Sequence, residues 1–283
     1  VVKGIQSMNE VNLFSQRVRR LSMFLIGVLS LLFGGIILGE NFDLNQCIIL
    51  SIAAVCGVML LYDVKNKLPN ENWFKILIWF LKIKSNALFV WILLVLFPFA
   101  FKYLSILSFV LLTVIMVLGV LYSLPHRIGK ITFKLKNILF LKNILIGLAW
   151  GGLVIVGAGS IHSQVLYLAG FMMLQVFLGS IIRDLADVKS DNSNGVNSLP
   201  VAFGISNTIW IMHFINLLSL LFLFRQNDFQ SNAVIFVLVT WRLLNLIFIK
   251  VFGVNKHLIQ TFNLSTCYLF FIILFIQHYY ELN

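Results

Sequence analysis

Residues 165–200 read VLYLAGFMMLQVFLGSII followed by RDLADVKSDNSNGVNSLP. The first part, 165–182, carries no charge and is almost wholly apolar, whereas the second sets Asp184, Asp187 and Asp191 close together. A spanning helix needs about 20 predominantly apolar residues, and a barrel strand would instead alternate over about 10. This continuous run therefore predicts a membrane helix that leaves the bilayer at Ile182 and carries its carboxylates at the edge.

The same pattern recurs along the chain. Of 283 residues, 60% are hydrophobic and only 11% charged, with a mean hydropathy of +0.98, well beyond the mix of a soluble domain. Nine runs qualify as spans: 21–39, 46–62, 87–101, 103–122, 138–157, 164–182, 208–225, 232–250 and 259–279. The expected fold class is an all-α integral membrane protein, with about nine transmembrane helices in a single bundle around a central cavity. Residues 1–20 form an N-terminal segment and 21–283 the membrane domain. The first run is too long for a signal-peptide core and lacks a small-residue cleavage pattern, so it is read as a retained span. The stretch WFKILIWFLKI at 73–83, apolar with flanking lysines, is expected to lie along the membrane surface.

The net charge of +11 sorts by loop rather than into a nucleic-acid surface. Lys3, Arg17, Arg19 and Arg20 precede the first span, and five lysines lie within 65–84. Five basic residues lie within 127–142, while the odd-numbered loops hold only Lys102 and Arg225. The positive-inside rule then places the N-terminus and the even loops in the cytoplasm and the C-terminus outside, as expected of a bacterial inner-membrane protein. Cys47, Cys56 and Cys267 are dispersed, which indicates neither a disulfide framework nor a zinc site. No nucleic-acid or protein partner is indicated; the partner is membrane lipid.

If the helix runs on past Ile182, Asp184, Asp187 and Asp191 stand at i, i+3 and i+7 and share a face. Two unit charges about 4 Å apart repel by roughly 4 kcal/mol at an effective dielectric near 20. Such a face calls for a cation or for raised carboxylate pKa values. Arg183 and Lys189 point elsewhere on the helix, and an all-oxygen carboxylate set suits Mg2+, which takes one or two carboxylates and shares its other positions with water and phosphate. A solvated charged loop is the alternative. Gln175 and Asn216, within spans, read as interhelical hydrogen-bond partners. Arg242, near the middle of a span, reads either as a cavity residue that meets an anion or as a packing residue bonded to backbone.

The remainder of the stretch adds Gly195, Ser198-Leu199-Pro200 and Gly204. The whole pattern, R-D-x-x-D-x-x-x-D-x-x-x-G-x-x-S-L-P-V-x-x-G, resembles the second aspartate-rich motif of the UbiA-type intramembrane prenyltransferases. A second likeness lies in LYSLPHRIGKITFKLKNILF (121–140) and the residues after it, where Tyr122, Ser123, Pro125, Arg127, Lys142 and Asn143 fit the family's turn and helix entry. The family's first aspartate motif is reduced to a single carboxylate, Asp63, in LLYDVKNKLPNENW (60–73).

The resemblance implies transfer of an isoprenoid chain from a prenyl diphosphate to an acceptor, an aromatic quinone precursor or a lipid alcohol, with Mg2+ as cofactor. It assigns the metal-binding and catalytic positions to Asp63, Asp184, Asp187 and Asp191. Arg127, Lys142 and Lys67 would contact the diphosphate, Tyr122 and His126 would line the site, and Arg183 joins the substrate-binding set. The alternative is a non-catalytic or transporter-like member that binds a prenyl lipid or a cation at the aspartates.

Overall fold

The computed structural model describes residue 25 and residues 28–35, 105–123, 125–128, 131–134, 138–225 and 229–282. Residues 28–35 are helical (α1). They are followed by α2 (Ile106–Ser123), the short strands β1 (Pro125–Ile128) and β2 (Ile131–Lys134), and α3 (Leu141–Ala158). Next come α4 (Ser163–Ser193), α5 (Leu199–Leu218) with a 3-10 extension (Ser219–Arg225), α6 (Phe229–Phe252) and α7 (Lys256–Leu282). Spans expected at 46–62 and 87–101, the stretch 73–83, the N-terminal segment 1–20, Asp63 and Lys67 lie outside the described residues.

Among the described residues, five helices are long and apolar enough to cross a membrane: Leu141–Ala158, Ser163–Ser193, Leu199–Phe224, Asn232–Phe252 and Lys256–Ile276. The protein is a helical integral membrane protein. Its outward faces carry large apolar side chains such as Trp210, Phe214, Phe236, Phe252 and Phe275, which suits lipid and would be a liability in water. Among the described residues the fold is helical apart from a two-stranded antiparallel ribbon between α2 and α3, in which His126 pairs with Phe133 and Arg127 with Thr132.

Helix α4 is the central element, with 72% of its apolar window buried against 28% for the windows of α5 and α7. Phe171, Leu168 and Val165 of α4 pack with Phe33 of α1 and Phe270 of α7, whose rings meet edge to face at 5.3 Å. Farther along α4, Leu178, Ile181, Ile182 and Leu185 pack with Leu199, Met212, Leu246 and Ile249. Polar glue accompanies this packing. Gln175 Nε2 donates to Asn216 Oδ1 at 3.3 Å and to Ser219 Oγ at 3.1 Å, and Asn216 Nδ2 donates to the Val239 carbonyl at 3.0 Å. These are the interhelical bonds expected of Gln175 and Asn216, the form in which buried amides are tolerated in a bilayer.

Two glycines set how closely α3 approaches α4. A Cβ at Gly147 would lie 2.6 Å from the Met173 carbonyl oxygen, and one at Gly151 would lie 2.6 Å from that of Ala169. Only a residue without a side chain allows this backbone contact, the small-xxx-small geometry of membrane helices. Asn143 stands one turn before Gly147 on the same stripe. Close packing at the glycines therefore carries Asn143 and Lys142 onto α4.

Candidate functional site

Helix α4 is 31 residues long. At 1.5 Å per residue that is about 46 Å, against a hydrocarbon core of about 30 Å, so the last turns project beyond the apolar layer. Asp184, Asp187 and Asp191 sit on those turns, as the sequence spacing predicts. The helix stops just beyond them for a local reason. Gly195 has φ +64, its N–H donates to the Asn192 carbonyl at 3.3 Å, and the Val196 N–H donates to the Asp191 carbonyl at 2.9 Å. This pair of bonds is a Schellman termination, which wants glycine at the left-handed position. The four-residue spacing from Asp191 to Gly195 thus places the helix end one turn after the last carboxylate.

The chain then returns toward the aspartates. Ser198 occupies the N-cap position of α5 in extended geometry, with Pro200 in the first turn, yet its hydroxyl makes no cap bond. Ser198 Oγ and Asp191 Oδ2 are both buried, and the Ser198 hydroxyl interacts with the Asp191 carboxyl. Residues 199–203 form a turn of helix. Gly204, at φ 77 and ψ 161, breaks it before the spanning part of α5.

Asp184 is 4% exposed and its two carboxylate oxygens are both met by α3. Lys142 of α3 forms an ion pair with its Oδ1. Asn143 Nδ2 donates to Asp184 Oδ2 at 3.0 Å and to Ser180 Oγ at 2.8 Å, while Ser180 Oγ donates to the Phe177 carbonyl at 2.7 Å. Lys142 Nζ also stands 3.9 Å from Asp191 Oδ2. A protein cation thus faces the carboxylates that the sequence reading left to a metal alone. It is supplied by α3, which helix spacing within α4 has no means of revealing.

Asp187 lies to one side. It lines a crevice with Arg183 of α4 and with Lys256, Gln260 and Asn263 of α7. Among the described residues, no three acidic, histidine or cysteine side chains gather closely enough to hold an ion unaided. A cation here would take one or two carboxylates and fill its other positions from a ligand, the mode typical of Mg2+ with phosphates.

Of the other expected site residues, Tyr122 falls in the last turn of α2, and His126 and Arg127 fall on β1. Ser180 is the site residue missed by sequence reasoning. Its one signal is its place one turn before Asp184.

Comparison with known proteins fits this architecture. A structure described as a UbiA homologue from Archaeoglobus fulgidus bound to GPP and Mg2+ superposes with a TM-score of 0.65 at 15% identity, covering 93% of this chain and 98% of that one. The same homologue bound to DMAPP and Mg2+ gives 0.64 at 14% identity, covering 93% and 96%. A digeranylgeranylglyceryl phosphate synthase structure gives 0.54 at 17% identity, covering 93% and 94%. At these identities the likeness establishes the fold. No curated protein matches by sequence. The model of the UbiA prenyltransferase family matches residues 81–276, a stretch that contains the ribbon, Lys142 and all three aspartates, and the chain accordingly belongs to that family.

Proposed function

We propose that the protein transfers an isoprenoid chain from a prenyl diphosphate to an acceptor within the membrane. The observation that carries this reading is the meeting of Lys142 with Asp184 and Asp191 at the end of α4. Carboxylates and a lysine together can bind a metal–diphosphate: the acids take the cation, and the ammonium takes phosphate oxygens as a point charge. Asp184, Asp187 and Asp191, with Asp63, would hold Mg2+. The all-oxygen donor set, with Asp191 Oδ2 buried and 3.9 Å from Lys142, fits such an ion. Bound there, Mg2+ supplies Lewis-acid stabilisation of the departing diphosphate.

The chain's own residues do the rest. Asn143 and Ser180 fix the Asp184 carboxylate, and Lys142, Arg127 and Lys67 contact the diphosphate, with Arg183 in the substrate-binding set. Tyr122 and His126 line the site. The apolar bundle holds the isoprenoid tail and excludes water. With one carboxylate left in the first motif, Lys67 supplies part of the charge compensation. The basic-loop asymmetry supports a bacterial inner-membrane location, with the N-terminus and motif loops cytoplasmic. Residues 1–20 then form a cytoplasmic segment, and 21–283 a nine-helix membrane domain.

The test is binding of labelled geranylgeranyl diphosphate to the purified protein with Mg2+, with chelator, and in the Asp187→Ala variant. Mg2+-dependent binding that the variant loses while remaining folded and membrane-inserted is the expected result. Retained binding in the variant removes the site assignment. Absence of binding for short and long prenyl diphosphates alike favours the transporter-like alternative, with Asp63, Asp187 and Asp191 as a cation site.

A further inference from the structure

On the outer face of the bundle, at the end where α4 carries its aspartates, a lysine is held sideways over an aromatic ring. Lys250 lies in the last turn of α6, and its Nζ stands 4.1 Å from the centroid of the Trp210 ring of α5. Both residues are exposed, Trp210 at 59%. His213 follows one turn along α5, its ring centroid 6.0 Å from that of Trp210. Trp210 comes six residues after the break at Gly204, about 9 Å along the spanning helix at 1.5 Å per residue. That depth is the boundary between headgroups and acyl chains, where tryptophan is enriched and where a lysine can keep its ammonium in the polar layer.

A lysine here complements the carbonyls at the C-terminus of α6, but that role needs no ring. The cation–π contact holds the ammonium against the side of the bundle that faces lipid. It occupies one side of a group with three donors. No carboxylate on the surrounding helices is available to the others: α5 and α6 contain no Asp or Glu, and α7 has none before Glu281. Away from the aspartate end, the outward stripe of α5 continues from Trp210 through Phe214 and Leu217, both exposed and at helical spacing. A cation at headgroup depth above an apolar stripe is complementary to a phosphodiester that carries acyl chains. A zwitterionic headgroup brings its own cation, whereas an anionic one leaves a net negative charge for Lys250.

We propose that Lys250 and Trp210, with His213, bind the phosphate of an anionic phospholipid from the leaflet at the aspartate end, its acyl chains lying along Phe214 and Leu217. The site goes beyond the prenyl-transfer reading, because it lies on the lipid-facing surface and needs neither the aspartates nor a metal.

The test uses the full chain in phosphatidylcholine nanodiscs that contain a rising fraction of phosphatidylglycerol brominated near the carbonyl end of its acyl chains, since bromine quenches tryptophan fluorescence on contact. The share of quenching that Trp210→Phe removes reports this site. In the parent it should half-saturate at a lipid fraction about fivefold lower for phosphatidylglycerol than for equally brominated phosphatidylcholine, the effect of one lysine on an anionic headgroup. Lys250→Gln should abolish that preference, and Lys250→Arg, which keeps the charge and the ring contact, should retain it. Lys189→Gln, which removes the same charge from an exposed position on α4, should retain it too. Equal quenching by both lipids in the parent, a preference that survives in Lys250→Gln, an equal loss in Lys189→Gln, or displacement by soluble glycerol 3-phosphate would each overturn the proposal. Failure of Mg2+-dependent prenyl diphosphate binding would leave it untouched.

Discussion

Asn143 of α3 donates to Asp184 of α4 at 3.0 Å, across a helix pair held close by Gly147 and Gly151. The bond ties a buried carboxylate to a contact between backbones, so the chemistry at the helix end depends on packing deeper in the membrane. Asn143 and Asp184 are 1% and 4% exposed. Truncating Asn143 to Ala leaves a buried carboxylate oxygen and Ser180 short of a donor, at a cost of about 1.5–3 kcal/mol. Detergent thermal melts should show a lower midpoint for Asn143→Ala and a smaller loss for Asn143→Ser; equal midpoints for parent and Ala variant would refute the role.

Lys142 competes with any metal for Asp184 and Asp191. Replacing it by Met removes a positive charge 3.9 Å from Asp191 Oδ2. Repulsion of an incoming cation falls accordingly. Calorimetric titration with MgCl2 in the absence of diphosphate should show tighter binding in Lys142→Met, by about tenfold, a change of roughly 1.4 kcal/mol. Prenyl diphosphate binding should weaken in the same variant. Unchanged affinity for both ligands would place Lys142 outside the site.

Enlarging Gly147 or Gly151 should separate α3 from α4. A Val at either position places its Cβ 2.6 Å from a backbone oxygen that has no room to yield. Overpacking of this kind costs typically about 1–3 kcal/mol, and it moves Asn143 and Lys142 off the aspartates. Gly151→Val should therefore lose diphosphate affinity although it lies two turns from Asn143. Full affinity in a correctly inserted Gly151→Val protein would separate site geometry from helix packing.

Gly195 offers a contrasting case. A Cβ there meets nothing within 4 Å, so Gly195→Ala carries only the strain of φ +64, about 1–2 kcal/mol. The helix end should fray rather than the bundle. Hydrogen exchange should speed up at the Val196 and Gly195 amides, which donate to the Asp191 and Asn192 carbonyls, while amides near Phe171 keep their protection. Uniformly faster exchange along α4 would contradict a local role.

The sequence by itself determined the helical membrane character, the continuation of α4 past Ile182 and the family. Apolar run length and the spacing of Asp184, Asp187, Asp191 and Gly195 are local properties, set by 3.6-residue periodicity and by glycine's access to positive φ. An interhelical hydrogen bond for each of Gln175 and Asn216 was legible too, because a buried amide in a bilayer must find a partner. Tertiary structure alone decided which cation meets the aspartates. Lys142 and Asp184 are 42 residues apart, and nothing in either segment reports the register at which Gly147 and Gly151 lock α3 onto α4. The divergence of Asp187 toward α7, the role of Ser180 and the contact of Lys250 with Trp210 are hidden for the same reason: each depends on which neighbouring helix covers a given face, and that is settled by close packing between elements distant in the chain.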